Sequence, residues 1–310
     1  MHYDAVIIGG SFAGLSAATY LGRARRSVCV VDAGLPRNRF AAHSHGFLGS
    51  DGDNPRAILE RARTQVKAYP TVAFRRASAT GAARVADGFA VALDSGEMLH
   101  ATALVLAYGI TDELPDIPGV AERWGETVIH CPYCHGYEFS GLRLGVLYMS
   151  AGSAHQAMLV SEWGPTTLYL NGATPPDLDV DALRAHGVAI EPERVIGLNG
   201  ASGGLSVVEL ANGSAAAADA LYVAPEFRFN SSIAEQLGCA LDDAPLGKII
   251  RVDANRLTTV PDVYAAGDVT RGAHTVTWAS ADGVSAGIAI HRSLVFGTSE
   301  RPPLPAVPRQ

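Results

Sequence analysis

The chain has 310 residues, 48% of them hydrophobic and 18% charged, with 33 glycines, which is the balance of a glycine-rich α/β protein and not of a disordered one. A formal net charge of -7 argues against nucleic-acid binding, and no apolar run approaches the roughly 18 to 20 residues that span a bilayer. The length favours two domains, and the opening "MHYDAVIIGG" has neither a cationic segment nor a cleavage site, so the expected location is the cytoplasm with no membrane partner.

The first predicted element is "YDAVIIGGSFAGLSAATYLGRARRSVCVVDAG", an apolar run, a glycine-rich turn, an Ala-rich helix and a second apolar run ending in an acid. This is a βαβ unit. Gly9, Gly10, Ser11, Phe12, Ala13 and Gly14 lie on the dinucleotide fingerprint G-x-G-x-x-G, with Ser11 at the middle glycine. Backbone N–H groups at the helix start can hold a pyrophosphate there. Asp32, with Ala33 beside it, ends the second strand about 20 residues on, where a carboxylate accepts hydrogen bonds from ribose hydroxyls.

"LPRNRFAAHSHGFLGSDGDNP" follows, a loop too long to be a mere connection and therefore suspected of function. A helix is predicted at about Arg56 to Tyr69, then strand-like segments in "FAVALDSGEMLHATALVLAYG". Prolines and glycines in "ELPDIPGVAERWG" mark a domain boundary. Beyond it come "HCPYCHGYE", the apolar "LRLGVLYM", a helical stretch through Trp163, a strand "TTLYLNG" and a region read as irregular up to about Ala220. "LYVAPEFRFN" reads as the return hinge. The closing segment "VPDVYAAGDVTRGAHTVTWASADGVSAGIAIHRSL" gives a strand, Gly267-Asp268, a short loop and a helix rich in small residues.

Cys131 and Cys134, with His135 directly after the second, admit several readings. Cys-x-x-Cys-His is the c-type haem attachment pattern, but that chemistry belongs to exported proteins. Zinc needs about four ligands, and the other cysteines, Cys29 and Cys239, are isolated in sequence. A structural disulfide is disfavoured in a reducing cytoplasm and would close too small a loop to stabilise much. A redox couple leads these readings.

Four motifs in order resemble the low-molecular-weight thioredoxin reductase-like flavoproteins: the first-strand fingerprint, "ALVLAYG" ending at Gly109, the Cys-x-x-Cys and the late "AAGD". The resemblance covers essentially the whole chain. It implies an α/β fold of two Rossmann-like, three-layer dinucleotide-binding domains, the second inserted in the first. Residues 1–118 and 227–310 would form a discontinuous FAD domain, and 119–226 a central domain carrying the cysteines. It also implies FAD as cofactor, with its pyrophosphate at Gly9 to Gly14 and its ribityl chain on Asp268. The helix starting near Thr275, Val276 and Thr277 would face the flavin, and the protein would be a homodimer.

Departures from the family pattern are informative. Its second G-x-G-x-x-A turn, which binds NADPH, is replaced by Tyr148, Ser150 and Ser153, and its phosphate-gripping His-Arg-Arg by Asn171-Gly172-Ala173. Neither replacement suits a dinucleotide phosphate. "CPYCHGYE" resembles the subgroup of FAD-dependent dithiol oxidases that close disulfides in gliotoxin and holomycin. The family's acid after the second cysteine is His135 here, and an imidazole, with a pKa near 6.5, can take a thiol proton at neutral pH. The resulting expectation is oxidation of a dithiol, either small or on a protein, with His135 or His130 as base and O2 or another acceptor. The alternatives are a disulfide reductase fed by NADPH, ferredoxin or another flavin, and a non-enzymatic flavin-binding redox sensor. His43 and His45 lie in the long loop, where they could border a substrate entrance, His274 precedes the last helix, and Tyr108 and Trp278 read as packing residues.

Overall fold

The computed structural model describes residues 2–201 and 204–297, and the chain divides into two units. The first comprises the described residues of Met1–Arg37, Arg56–Thr111 and Arg228–Gln310, the second those of Asn38–Pro55 and Asp112–Phe227.

In the first unit the opening apolar run becomes the strand His2–Ile8, flanked in parallel by Val28–Val31 and Met98–Leu106. Val72–Arg75 extends the sheet beyond Val28–Val31, and Val263–Ala265 pairs with the inner end of Met98–Leu106. Gly88–Leu93 and Ala79–Val85 complete it as an antiparallel meander. Val28–Val31 is buried at every position, as expected of a strand covered on both faces. The helices Phe12–Arg23 and Val276–Phe296 pack through small residues, with Ala13 and Ala17 against Gly283 and Gly287. The predicted helix at 56–69 forms as Pro55–Lys67.

A five-stranded, all-parallel sheet centres the second unit, in the order Ala189–Glu191, Thr166–Tyr169, Leu144–Leu147, Ala220–Tyr222, Val128–Ile129. Val146, Val160, Leu168, Leu183 and Tyr222 form part of its core. The stretch read as irregular contains a three-stranded antiparallel sheet, Val195–Asn199, Val207–Leu210 and Ala215–Ala217. Val208 and Leu210 are buried there against Val195 and Leu198, while alanine and glycine, poor strand formers, hide the pattern. The segment read as a hinge begins earlier than expected as a core strand, Ala220–Tyr222, and only Glu226–Phe229 belongs to the crossing, where it pairs with Ile110–Glu113.

The sequence places Asn38–Pro55 with the first domain and the first crossing at 118. The contacts divide the chain at 111/112 and 227/228, and Asn38–Pro55 groups with the cysteine-bearing unit. Phe40 lies against Gly125, and His45 pairs with Glu138.

Candidate active site

The strand Val128–Ile129 delivers His130 and Cys131 to the edge of the second unit's sheet. Cys131 is extended (φ -103°, ψ 117°) and caps the short helix Pro132–His135, with Pro132 in the first turn, where its missing N–H costs nothing. One helical turn then folds Cys134 back over Cys131, and the two Sγ atoms lie 2.7 Å apart. Sulfurs this close can be joined or parted with little backbone movement. The His130 carbonyl accepts from Gln156 Nε2 at 2.8 Å, and His130 Nδ1 lies 3.2 Å from the Val223 carbonyl. That contact engages one ring nitrogen of His130 with the main chain. Tyr133 and Tyr137 are exposed, and Tyr133 stands edge-on to Trp163.

His135 is half-buried, and desolvation lowers its pKa below the ordinary imidazole value; nearby Glu138 pulls it back up and His45 pushes it further down. Both neighbours escaped the sequence reading as partners. His45 Nε2 lies 3.4 Å from Glu138 Oε1, and the His45 and His135 rings meet edge-on with centroids 6.4 Å apart. The His43 ring lies tilted to His45 with centroids 6.3 Å apart, and its Nδ1 lies 3.0 Å from the Gly52 carbonyl. Only contact across some ninety residues brings these groups together, so nothing local in the sequence signals it. Tyr222 is a further group that sequence does not flag: its buried hydroxyl has no hydrogen-bond partner among the described residues, and burial first, then Cys131 and Glu138, push its pKa up.

Among the described residues no group of three or more His, Cys, Asp or Glu is placed to hold a metal. Cys29 and Cys239 are buried thiols whose pKa values burial raises, which makes them small core residues rather than nucleophiles.

In the first unit the fingerprint forms a cradle. Any Cβ at Gly14 would stand 1.8 Å from the Gly9 carbonyl oxygen, so helix and turn meet as closely as the motif demands. Ser11 precedes the helix Phe12–Arg23 without a capping side-chain bond, and the helix start keeps the N–H groups and positive dipole that attract an anion. Asp32 accepts from Gly34 N at 2.9 Å and pairs with Arg63 at 2.6 Å; Arg63 was not anticipated. Gly267, at φ 84° and ψ -154°, is in a region essentially closed to other residues; it packs against Ala13 of the fingerprint, and the next residue, Asp268, pairs with Arg37 at 3.2 Å. Asp282, almost fully buried, ties this turn down through Arg271 at 2.7 Å and Arg256 at 2.9 Å. Gly109 (φ 70°) sits by Asn230, whose amide donates to the Tyr108 carbonyl. Thr275 caps the last helix by accepting from Trp278 N at 3.1 Å, ahead of Val276 and Thr277.

The second unit's equivalent turn is different. Ser153, fully buried, accepts from Met149 N at 2.9 Å and Ser150 N at 3.2 Å, so its own hydroxyl engages the N–H groups that would otherwise meet a phosphate. Asn171, at φ 55°, accepts from Val195 N. Ser153→Ala removes the acceptor of two half-buried donors and is expected to lower unfolding stability by about 1 kcal/mol. A denaturation midpoint equal to wild type contradicts that role.

The model of the family described as pyridine nucleotide-disulphide oxidoreductase matches residues 3–147 and 179–283. Thioredoxin reductase sirT of Leptosphaeria maculans is 30% identical over 308 residues, covering 93% of each chain. Among solved structures, an oxidoreductase from Agrobacterium tumefaciens is 45% identical with a TM-score of 0.91, over 96% of this chain and 99% of that one. HlmI is 39% identical at 0.90, over 95% and 93%. With the paired sulfurs and the fingerprint cradle, these matches establish the chain as an oxidoreductase enzyme of the pyridine nucleotide-disulphide oxidoreductase family, with the thioredoxin reductase-like fold.

Proposed function

We propose that the protein is an FAD-dependent dithiol oxidase working through Cys131 and Cys134. The observation that carries this reading is the contact pair of sulfurs followed directly by His135, a base whose protonated form burial disfavours. A substrate thiol loses its proton to His135, and the thiolate attacks Cys131 of the disulfide form, opening the Cys131–Cys134 bond and leaving Cys134 as thiolate. The second substrate thiol then attacks the mixed disulfide, so the product leaves closed and the enzyme keeps two electrons as a dithiol. His130, with Nδ1 at the Val223 carbonyl, serves to orient the strand end more than to accept the proton. FAD fits the first unit's cradle, where Gly9–Gly14 would take its diphosphate and Asp32 and Asp268 its hydroxyls. When bound, it supplies the two-electron acceptor that regenerates the disulfide and delivers the electrons to O2 or another acceptor.

The second unit bears on the direction of electron flow. The Ser153 hydroxyl already holds two N–H groups of the turn, and Asn171, whose side chain accepts from Val195 N, stands where a phosphate-gripping cation would be expected. The relative named thioredoxin reductase favours a second reading, a disulfide reductase in which another carrier such as ferredoxin feeds the flavin. An oxygen electrode separates the two: FAD-loaded enzyme with dithiothreitol should consume O2 catalytically, and a wild type that consumes none contradicts the oxidase. Asp268→Ala removes a carboxylate from the cradle and should weaken FAD binding by about 1–3 kcal/mol, read from flavin fluorescence on release. Unchanged affinity removes Asp268 from the site.

A further inference from the structure

Asp32 of the first unit stands directly against the fingerprint turn, because a Cβ at Gly10 would lie 2.6 Å from the Asp32 Cβ. Both of its oxygens are anchored: Oδ1 accepts from Gly34 N at 2.9 Å, and Oδ2 accepts from Arg63 Nη2 at 2.6 Å. The same Arg63 nitrogen reaches the Gly10 carbonyl at 3.4 Å, so one arginine ties the end of the second strand to the turn. Arg63 comes from the inward face of the helix Pro55–Lys67, which it shares with the buried Leu59 and Val66, whereas Arg56 and Arg61 on the same helix are exposed. The side chains of the pair are only 26% and 16% exposed. It is therefore not one of the solvated surface bridges that contribute little.

We infer that Arg63 is a positioning residue for FAD: it fixes the Asp32 carboxylate in the orientation that receives the hydroxyls of the adenosine ribose. The inference rests on the FAD reading of this cradle and is independent of the thiol chemistry in the second unit. An ionised carboxylate offers about four acceptor sites. Gly34 and Arg63 take one each, so both oxygens keep capacity for a ribose hydroxyl while the plane of the group stays fixed. Without Arg63 the Oδ2 side of a mostly buried charge is uncompensated, and the carboxylate turns towards water or another donor before a ribose can use it. Arg63 thus acts through Asp32 and not as a ligand of the diphosphate.

The test is a double-mutant cycle on FAD affinity, with the full chain and FAD equilibrated, ultrafiltered and read from the flavin absorbance of the filtrate. Arg63→Met should weaken FAD binding by about tenfold or more, and Arg63→Lys, which keeps a charged donor, should regain most of that loss. Asp32→Ala should weaken binding at least as much as Arg63→Met. Adding Arg63→Met to Asp32→Ala should then cost no more than about twofold, because the residue it acts through is gone. Wild-type affinity in Arg63→Met overturns the inference. So does an equal loss with and without Asp32, which marks a direct phosphate ligand or a brace of the helix, and so does an Arg63→Lys protein as weak as Arg63→Met. A wild-type chain that binds no FAD contradicts the cradle reading itself, a result distinct from any of these.

Discussion

Cys134→Ser protein is expected to retain FAD and to lose its reduction by dithiols, with bleaching falling to the rate at which free dithiol reduces flavin. In the proposed mechanism Cys134 would be the flavin-side thiol, and the serine hydroxyl can neither leave as a thiolate nor close a disulfide with Cys131. The short helix should survive, since Cys134 contributes an N–H to the Cys131 carbonyl at 3.2 Å that serine keeps. Cys131→Ser should also stop turnover, because no sulfur remains for the substrate to attack. Stopped-flow absorbance checks both variants. Dithiol bleaching at the wild-type rate in either shows electrons reaching the flavin without the pair.

His135→Ala carries the second large effect, a slowing of dithiol oxidation by roughly 10²- to 10⁴-fold, as expected for a lost general base. The sign of the pH dependence follows from burial. A pKa lowered below the ordinary imidazole value keeps the ring neutral, and able to accept a proton, further into the acid range. The wild-type rate should therefore rise with pH through an inflection on the acid side of free histidine and be level by neutral pH. In His135→Ala that inflection should vanish, leaving a rate that follows the thiolate fraction of the substrate. An inflection unchanged by the substitution assigns it to another group, with His130 the first candidate.

How much of this was legible in sequence depends on how local each signal is. The fingerprint, Asp32 and the Cys-x-x-Cys are short-range patterns, and the strand, turn and helix that carry them form where periodicity puts them. His45 could be marked only as a loop histidine, because its link to Glu138 spans the chain from one segment of its unit to another. Arg63 is one of several arginines on an amphipathic helix, and only tertiary packing selects it for Asp32. Ser153 reads in sequence merely as a missing small residue; that its hydroxyl takes up two backbone N–H groups depends on the fold of the turn. The alanine-rich strand Ala215–Ala217 lacks the β-branched residues that announce a strand, and pairing supplies what propensity does not.

Anaerobic titration of the FAD-loaded protein, with dithiothreitol in one cell and NADPH or NADH in another, tests the central claim most directly. A dithiol working through Cys131 and Cys134 should bleach the flavin stoichiometrically, and neither nicotinamide should do so at comparable concentration, because the Ser153 hydroxyl already engages two turn N–H groups that would otherwise meet a dinucleotide phosphate. Rapid stoichiometric bleaching by NADPH, with none by dithiol, contradicts the account.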